Sequence, residues 1–309
     1  MKFEGDYLNG KEWNGKGYNP EGNIAFKIKD GKGNITEYDN NGKLIFEGIY
    51  LNGERNGYGM EGYHNGRWKF NGKYLNGVRN GYGLEYYYYK SYSKGFNGKL
   101  KFEGDYLNGK VWNGIGYNSE GNIAFKIKDG KGNITEYDNI YNLIFKGEYL
   151  NGERNGKGIE YYKNNKIFEG EYLNGKRHGK GKEYYDNGNL KFEGEYLNGK
   201  AWNGKEYKND SSIACEVKDG KGIKKEYFKT DLLKFKGDYF NGEINGKGRE
   251  YYRNGKFKFE GEYFNGKRNG RGKEYYKNGN LKFEGDYFNG KRNGKGKEYN
   301  EDGKLIFEG

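Results

Sequence analysis

One short pattern recurs along this whole chain: phenylalanine, any residue, glycine, any residue, tyrosine, leucine or phenylalanine, and then Asn-Gly. Ten complete copies begin at Phe3, Phe46, Phe70, Phe102, Phe145, Phe168, Phe192, Phe235, Phe259 and Phe283, and a partial copy begins at Phe307. Most of these starts lie 23 or 24 residues apart. A short fixed period indicates that one supersecondary unit is stacked many times. The sequence therefore predicts a single repeat array over residues 1–309.

Three gaps between copies are 43 residues long, and each contains a degenerate unit. These units start at Phe26, Phe125 and Cys215, and the first two read FKIKDGKGNITEY. In them the turn shrinks to Lys-Asp-Gly, and a strand glycine is replaced by an isoleucine or a valine. The chain then consists of about thirteen units of 20–24 residues plus a partial last one, with an insertion near residues 86–97.

Each unit has the alternation of a β-hairpin. Phe283, Gly285 and Tyr287 fall on one face of a strand and Glu284 on the other. The segment Asn289–Gly294 is rich in residues that tolerate positive φ, so it is predicted to form the turn. The Lys-Gly-Lys-Glu-Tyr that follows is predicted to return as the second strand. Helix is not expected, because each glycine in a helix costs up to about 1 kcal/mol.

The glycines also suggest how the aromatic rings pack. Gly294 and Gly296 lie at alternate positions of the returning strand, where the lack of side chains leaves room for Phe283 and Tyr287. The other face carries alternating lysine and glutamate, which suits cross-strand pairs. The predicted fold is all-β: an elongated, single-layer antiparallel sheet of consecutive hairpins, with an aromatic stripe on one face.

Composition decides between a folded and a disordered chain. The 309 residues include 57 glycines, and the mean hydropathy is -1.26, which on its own is typical of disorder. However, the chain has 34 tyrosines, 19 phenylalanines and one proline, whereas disordered segments are poor in aromatics and rich in proline. We therefore interpret the chain as folded.

The charge is +12, from 56 basic and 44 acidic residues of interleaved sign. Such a surface favours solubility and weak attraction to an anionic membrane surface, and it does not indicate a nucleic-acid partner.

Chemistry-bearing residues are sparse. The single cysteine, Cys215, excludes an intrachain disulfide and a cysteine-based zinc site, and His64 and His178 lie far apart in the sequence. The Gly-Lys loop from Gly175 to Gly181 lacks the Ser/Thr and the spacing of a phosphate-binding P-loop. We predict no enzyme activity, catalytic residue, cofactor or metal. No apolar run suits a signal peptide or a membrane span, so a cytoplasmic location is expected, with peripheral membrane attachment as an option.

The segment FEGEYLNGKRHGKGKEYY, residues 168–185, resembles a MORN repeat. The family's pattern is matched by Phe168, Gly170, Tyr172, Asn174, Gly175, His178, Gly179 and Gly181. The resemblance recurs in register over the whole chain. It implies stacked antiparallel hairpins and a role as a scaffold or protein-interaction platform. For some members of the family, binding to phosphoinositides has been proposed.

Tryptophans mark one departure from the pattern. Trp13, Trp112 and Trp202 replace the loop arginine just before each short unit. One interpretation is that each indole covers the apolar step where a hairpin is shortened. The other is that they are periodic anchors for a partner, since tryptophan is enriched in binding hot spots.

The insertion marks another departure. It reads EYYYYKSYSKGFNGK from residue 85, and we predict a tyrosine-rich loop beyond the sheet. Its candidate partner-binding residues are Tyr87, Tyr88, Tyr89, Tyr92 and Phe96. A tolerated surface insertion is the alternative.

These observations favour a non-catalytic structural scaffold that binds protein partners. The alternatives are a membrane-surface adaptor for anionic phospholipids such as phosphoinositides, and a repeat-type inhibitor or immunity protein. Because the array begins and ends within a strand pattern, we also expect self-association through edge strands.

Overall fold

The computed structural model describes residues 2–65, 67–88, 98–228, 230 and 232–309. Contacts group the chain into two compact units. Unit 1 contains Met1–Lys166 and Tyr172–Gly175, and unit 2 contains Ile167–Glu171 and Lys176–Gly309. The single repeat array over residues 1–309 stays a prediction.

All regular structure in the described residues is β-strand. The strands of unit 1 are β1 Lys2–Leu8, β2 Lys11–Tyr18, β3 Ile24–Ile28, β4 Gly33–Tyr38, β5 Leu44–Leu51, β6 Glu54–Gly62, β7 Trp68–Leu75, β8 Val78–Tyr86, β9 Leu100–Leu107, β10 Lys110–Tyr117, β11 Ile123–Ile127, β12 Gly132–Tyr137, β13 Leu143–Leu150 and β14 Glu153–Tyr162. The next strand, β15 Asn165–Leu173, has residues in both units. The strands of unit 2 are β16 Lys176–Tyr184, β17 Leu190–Leu197, β18 Lys200–Tyr207, β19 Ile213–Lys218, β20 Lys221–Tyr227, β21 Leu233–Phe240, β22 Glu243–Tyr251, β23 Phe257–Phe264, β24 Lys267–Tyr275, β25 Leu281–Phe288, β26 Lys291–Tyr299 and β27 Leu305–Glu308.

Within each unit, strands pair antiparallel with their neighbours in sequence. In unit 1, β1 to β3 form one sheet and β4 to β11 form an open eight-stranded sheet, and β12 to β14 pair in order. In unit 2, β16 to β27 pair in order. The predicted fold class, antiparallel sheets of consecutive hairpins, is confirmed.

The first two short hairpins interrupt the sheets of unit 1. Only one bridge, Lys29 with Lys32, joins β3 to β4, and only Lys128 with Lys131 joins β11 to β12. Away from the turn, β3 and β11 pair with the preceding strands, β2 and β10, and β4 and β12 pair with the following strands, β5 and β13. The strands of unit 1 therefore do not form the single continuous ladder that the repeat pattern suggests.

The turns of the hairpins are two residues long. Asn289 and Gly290 have φ of 52° and 87°, and β26 begins at the next residue. A two-residue hairpin turn with positive φ at both positions follows the right-handed twist of the strands, which explains the recurrent Asn-Gly. The predicted turn over Asn289–Gly294 is therefore wrong, since only its first two residues turn.

The remaining residues of that segment form a bulge inside the second strand. Tyr287 faces Arg292, whereas Gly285 faces Gly296, so β26 has two more residues than β25 over this stretch. Gly294 lies in the bulge with φ of 83°. A bulge needs a residue that accepts positive φ, and this conformational need, not space for a ring, explains Gly294.

Space for a ring does explain why Gly285 and Gly296, which face each other on β25 and β26, are both glycine. A Cβ atom added to Gly285 or Gly296 would lie 2.7 or 2.5 Å from the Phe283 ring. A Cβ on Gly272, in the preceding hairpin, would lie 3.2 Å from the Tyr287 ring. Each phenylalanine thus lies across its own hairpin, and each tyrosine reaches the hairpin before. We call the side that carries these rings the ring face.

An arginine covers the phenylalanine in most long hairpins. The Arg268 guanidinium carbon lies 4.0 Å from the centre of the Phe259 ring, and its Nη2 lies 2.8 Å from a carboxylate oxygen of Glu250. The Tyr263 hydroxyl donates to the same carboxylate at 2.9 Å. We call this group of four the arginine clamp. The same arrangement joins Arg55, Phe46, Glu37 and Tyr50; Arg79, Phe70, Glu61 and Tyr74; Arg154, Phe145, Glu136 and Tyr149; and Arg292, Phe283, Glu274 and Tyr287.

Hydrogen bonds also connect successive hairpins at both ends of the strands. At one end, the Gly290 amide donates to the Arg268 carbonyl at 2.9 Å. At the other end, the Tyr276 hydroxyl donates to the Tyr299 carbonyl at 2.9 Å. These bonds join residues 22 or 23 positions apart, one repeat, so neighbouring hairpins hold each other in register.

Gly272→Ala should destabilise unit 2 by about 1–3 kcal/mol or more, because the new methyl group would lie 2.5 Å from the Phe259 ring. The measurement is the midpoint of urea unfolding. The control is Gly188→Asn: this turn glycine has open space around it and φ of 85°, which asparagine tolerates. Equal losses in both variants would contradict the packing role of Gly272.

The clamp predicts a pH dependence in unit 1. Burial by itself would raise the pKa of Glu61, but the hydrogen bonds and charge of Arg79, with Tyr74 and Lys69, lower it from 4.5 to about 2. Because the pKa is lowered in the folded state, the stabilisation is present above pH 4.5 and is lost as the pH falls towards 2. Glu61→Gln should therefore cost up to about 3 kcal/mol at pH 7 and little at pH 2, as measured by urea unfolding at both pH values. A loss of the same size at both pH values would contradict the ionic role.

Candidate interaction surface

The side chains that point away from the ring face form a second surface, which we call the open face. On outgoing strands, these are the residues on either side of the motif glycine, as Glu260 and Glu262 flank Gly261. On returning strands, they are the residues on either side of the glycine that pairs with it, such as Arg271 and Lys273. The ring face is closed by clamps, so the open face is the more accessible surface.

In unit 2, the open face carries stripes of charge. Basic and acidic pairs alternate from strand to strand: Lys247 and Arg249 on β22, Glu260 and Glu262 on β23, Arg271 and Lys273 on β24, Glu284 and Asp286 on β25, and Lys295 and Lys297 on β26. Cross-strand ion pairs form between Arg249 and Glu260 at 3.4 Å and between Lys273 and Glu284 at 3.4 Å. The predicted lysine–glutamate alternation is thus present here, and each pair is half-exposed, a setting in which an ion pair contributes about 0–1 kcal/mol.

A groove runs along these stripes. Its volume is about 1170 Å³, and its lining includes the paired glycines of β21 to β26 together with the charged side chains on both sides of them. Because the glycines have no side chain, main chain forms the lining between two charged rows. An extended chain of mixed charge would fit this geometry.

In two hairpins of unit 1, the open-face positions of the returning strand carry apolar side chains. Tyr58 and Met60 take the places that Arg271 and Lys273 take in unit 2, and Tyr82 and Leu84 repeat the change in the next hairpin. The exposed fraction is 60% for Tyr58 and 46% for Tyr82.

Ile49, on the neighbouring strand, is 49% exposed. We call Ile49, Tyr58, Met60, Tyr82 and Leu84 the apolar patch. Sequence reasoning missed it by treating the open face as charged throughout. The signal was Tyr-Gly-Met and Tyr-Gly-Leu where four other units read basic-Gly-basic, as Lys-Gly-Lys does at 295–297.

The three tryptophans do not occupy the register position of the arginine. Val111 faces Tyr106, as Arg268 faces Tyr263, and Trp112 is the bulged residue next to it. In the other two hairpins that precede a short unit, Glu12 and Ala201 take the arginine position beside Trp13 and Trp202. The interpretation that tryptophan replaces arginine is thus wrong. The hairpins that contain a tryptophan are one residue shorter between the paired glycines than the hairpins that contain an arginine, so the register differs.

Each indole packs on the turn of the short hairpin that follows. A Cβ added to Gly130 would lie 2.7 Å from the Trp112 ring, and the Gly130 amide donates to the Trp112 carbonyl at 2.9 Å. Trp13 and Trp202 meet Gly31 and Gly220 in the same way. All three indoles are half-buried. They cover a turn and keep part of the ring accessible.

The start of the insertion packs against the sheet. Tyr87 is 1% exposed, and its hydroxyl donates to the Tyr117 carbonyl at 2.7 Å. The Tyr88 amide donates to the Asn139 carbonyl at 3.0 Å. In this structure Tyr87 is therefore not accessible to a partner. The other predicted residues of the loop, Tyr89, Tyr92 and Phe96, lie outside the described residues.

No metal-binding cluster of His, Cys, Asp and Glu occurs in the part of the chain that the structure describes. The Cys215 thiol donates to Glu206 at 3.2 Å, and burial together with this carboxylate raises its pKa to about 12. A thiol of that pKa is protonated at neutral pH and a poor nucleophile. None of the described residues forms a helix that could cross a lipid bilayer.

The repeat positions of the 168–185 segment are occupied by buried aromatic rings, by glycines that pack against a ring and by glycines with positive φ. Phe168 is buried, and a Cβ on Gly170 or Gly181 would lie 2.8 or 2.6 Å from its ring. Tyr172 is also buried, and Gly175 and Gly179 have φ of 77° and 69°.

A stack of aromatic–glycine hairpins defines a β-repeat protein, and comparison with known families agrees. The MORN repeat model matches residues 46–66, 70–88, 145–166, 168–190, 235–257, 259–281 and 283–304, and a model of a MORN repeat variant matches 32–52. Together these matches cover more than half of the chain. The chain belongs to the MORN repeat family.

Other comparisons give weak similarities. A chain of the TcdB2–TccC3 crystal structure is 12% identical with a TM-score of 0.20, and the match covers 96% of this chain and 18% of that one. A chain of the Photorhabdus luminescens Tc holotoxin pore is 13% identical with a TM-score of 0.19, and the match covers 94% of this chain and 18% of that one. Alternansucrase in complex with isomaltononaose is 15% identical with a TM-score of 0.16, and the match covers 75% of this chain and 16% of that one. This chain spans less than a fifth of those chains, and nothing about it is inferred from them. The comparison with curated proteins gives no match.

The packing of Trp112 yields a prediction. Trp112→Ala should destabilise unit 1 by about 2 kcal/mol, because the indole is half-buried against the Gly130 turn, and Trp112→Phe should cost less. Urea unfolding measures both. An unchanged midpoint in Trp112→Ala would contradict the covering role and favour the partner-anchor interpretation.

Proposed function

We propose that this protein is a non-catalytic scaffold that binds protein partners, with the apolar patch of unit 1 as its main docking surface. Membership of the MORN repeat family supports a scaffold or binding role. The observation that carries the proposal is the exposure of Tyr58, Tyr82 and Ile49 at positions where most of unit 2 has charged residues.

The composition of the apolar patch suits a protein interface. Tyrosine and methionine are enriched in interfaces, because tyrosine brings a large rigid surface with a polar end and methionine adapts its shape. Lys73 lies over the Tyr58 ring at 5.3 Å, and the Tyr82 hydroxyl donates to Glu103 at 2.7 Å. Lys73 is on β7, between the strands of Tyr58 and Tyr82, and Glu103 is on β9, on the other side of Tyr82, so both apolar pairs have polar neighbours.

The charged open face of unit 2 supports the other hypotheses less well. Four of its six basic residues on β22, β24 and β26 pair with acidic neighbours, as Lys297 pairs with Glu308 at 3.0 Å. An anionic membrane would favour an unbroken basic surface. No observation on the described residues favours the inhibitor hypothesis, and self-association through edge strands stays a prediction.

The test is a pull-down with the full chain carrying Tyr58→Lys, Met60→Lys and Tyr82→Lys. These substitutions copy the lysines of unit 2, so the hairpins should still fold. We expect the triple variant to lose partners that the wild type retains. The matched control exchanges the Lys273–Glu284 pair, which should leave partner binding unchanged. Retention of all partners by the triple variant would overturn the apolar patch as the docking surface.

Sedimentation with vesicles that contain phosphoinositides, at physiological salt, tests the membrane alternative. We expect the protein to stay in the supernatant. Binding to these vesicles but not to neutral ones would overturn the scaffold proposal in favour of a lipid adaptor.

A further inference from the structure

One long hairpin of unit 2 lacks the arginine of the clamp. Ile244 faces Tyr239 across the β21–β22 pair, as Arg268 faces Tyr263 in the next hairpin. It also lies 18 residues after Glu226, the spacing that separates Arg268 from Glu250. The hairpin therefore keeps the carboxylate and the aromatic rings of a clamp but has no guanidinium of its own.

The carboxylate at this site is more exposed than its counterparts. The Glu226 side chain is 35% exposed, against 14% for Glu61, 21% for Glu250 and 19% for Glu274. Its ion pairs are with Lys224 at 3.1 Å and Lys234 at 3.5 Å. Lysines, and not an arginine, are thus the cationic partners of this more exposed carboxylate.

A cavity of about 650 Å³ lies at this point, within the usual size of ligand pockets. Its lining includes Glu226, Phe235, Ile244, Glu250 and Tyr263, together with the cations Lys234, Arg253, Lys258 and Lys277. Ile244 packs beside the Phe235 ring, which is buried like the rings that lie under an arginine: Phe235 is 4% exposed, against 0% for Phe259 and 6% for Phe283. The missing arginine thus leaves space beside Glu226 and Glu250, while the ring stays covered.

We propose that this cavity, the Ile244 pocket, binds the guanidinium of an arginine side chain on a protein partner. The arginine would pair with Glu226 in the space beside Ile244 and supply in trans the guanidinium that this hairpin lacks. This inference rests on the proposed function and specifies the chemistry of the partner.

The clamps explain why the ligand should be a guanidinium. Arg55 binds Glu37 through two hydrogen bonds, Nε at 3.0 Å and Nη2 at 2.9 Å, while its guanidinium carbon lies 4.0 Å from the centre of the Phe46 ring. A planar guanidinium can make both contacts at once, and an ammonium cannot match that geometry.

Of the two lysines that pair with Glu226, Lys234 has a counterpart in the clamps, where that lysine does not exclude an arginine. Lys258, which corresponds to Lys234, pairs with Glu250 at 3.0 Å, and Arg268 binds the same carboxylate at 2.8 Å. In unit 1, Lys69 and Arg79 share Glu61 in the same way. One carboxylate in this position therefore accommodates both cations.

The first experiment titrates the full chain with N-acetyl-L-arginine amide, followed by calorimetry or NMR. We expect saturable binding with a Kd on the order of 1 mM, as suits a single side chain. The citrulline and lysine analogues should bind at least about tenfold more weakly, because citrulline has the shape without the charge and lysine the charge without the planar fork. Equal binding of all three compounds would overturn the proposal.

Variants of Ile244 and Glu226 test whether the arginine compound binds in the Ile244 pocket. Ile244→Arg restores the repeat residue, so it should raise the thermal unfolding midpoint and abolish binding. Glu226→Gln should weaken binding at least about tenfold. The matched control, Ile244→Leu, should bind like the wild type. Binding that persists in a folded Ile244→Arg variant would overturn the assignment to this pocket.

A final experiment tests whether the ligand of the Ile244 pocket is an arginine side chain of a protein or a free guanidino compound. The peptide Gly-Gly-Arg-Gly-Gly, blocked at both ends, should bind at least as well as free L-arginine. Tighter binding of the free amino acid would overturn a protein source. Failure here is distinguishable from failure of the proposed function, because the pull-down of the apolar-patch variant does not depend on Ile244.

Discussion

The contact on which the rest of the structure depends is a phenylalanine ring lying across two glycines that face each other on adjacent strands. In the β25–β26 hairpin these are Phe283, Gly285 and Gly296. A methyl group on either glycine would overlap the ring, so the ring can approach the backbone only where both residues are glycine. A chain with 32% hydrophobic residues thereby buries large aromatic side chains against its own main chain.

The arginine clamp follows from that contact. A ring that lies flat on the sheet exposes its other face, and the guanidinium covers this face while Glu and Tyr from neighbouring strands hold it in place. Charged groups are thus part of the core-like side of the sheet, because the guanidinium is paired and stacked. Repeats also vary on the open face, where Tyr58 and Met60 replace charged residues without disturbing a clamp.

Much of the fold could be predicted from the repeat. The alternation of Phe283, Gly285 and Tyr287 placed the rings on one face, and the structure agrees. The local errors share one cause, which is the bulge. Because residues such as Gly294 are taken out of the pairing, the turn is shorter than Asn289–Gly294, and Trp112 lies beside the arginine position instead of in it. Bulges change the register without changing composition, so sequence alternation does not reveal them.

The sequence by itself determined the hairpin repeat, the aromatic and charged faces and the membership of the MORN family, because these depend on residues close together in the chain. Only the tertiary structure decided where the repeat is open to a ligand. Glu226 and Ile244 are 18 residues apart, and Ile49, Tyr58 and Tyr82 lie on three different strands. Such residues become neighbours only when strand register, bulges and turns are set. The same register buries Tyr87 at the start of an insertion whose sequence predicts an exposed loop.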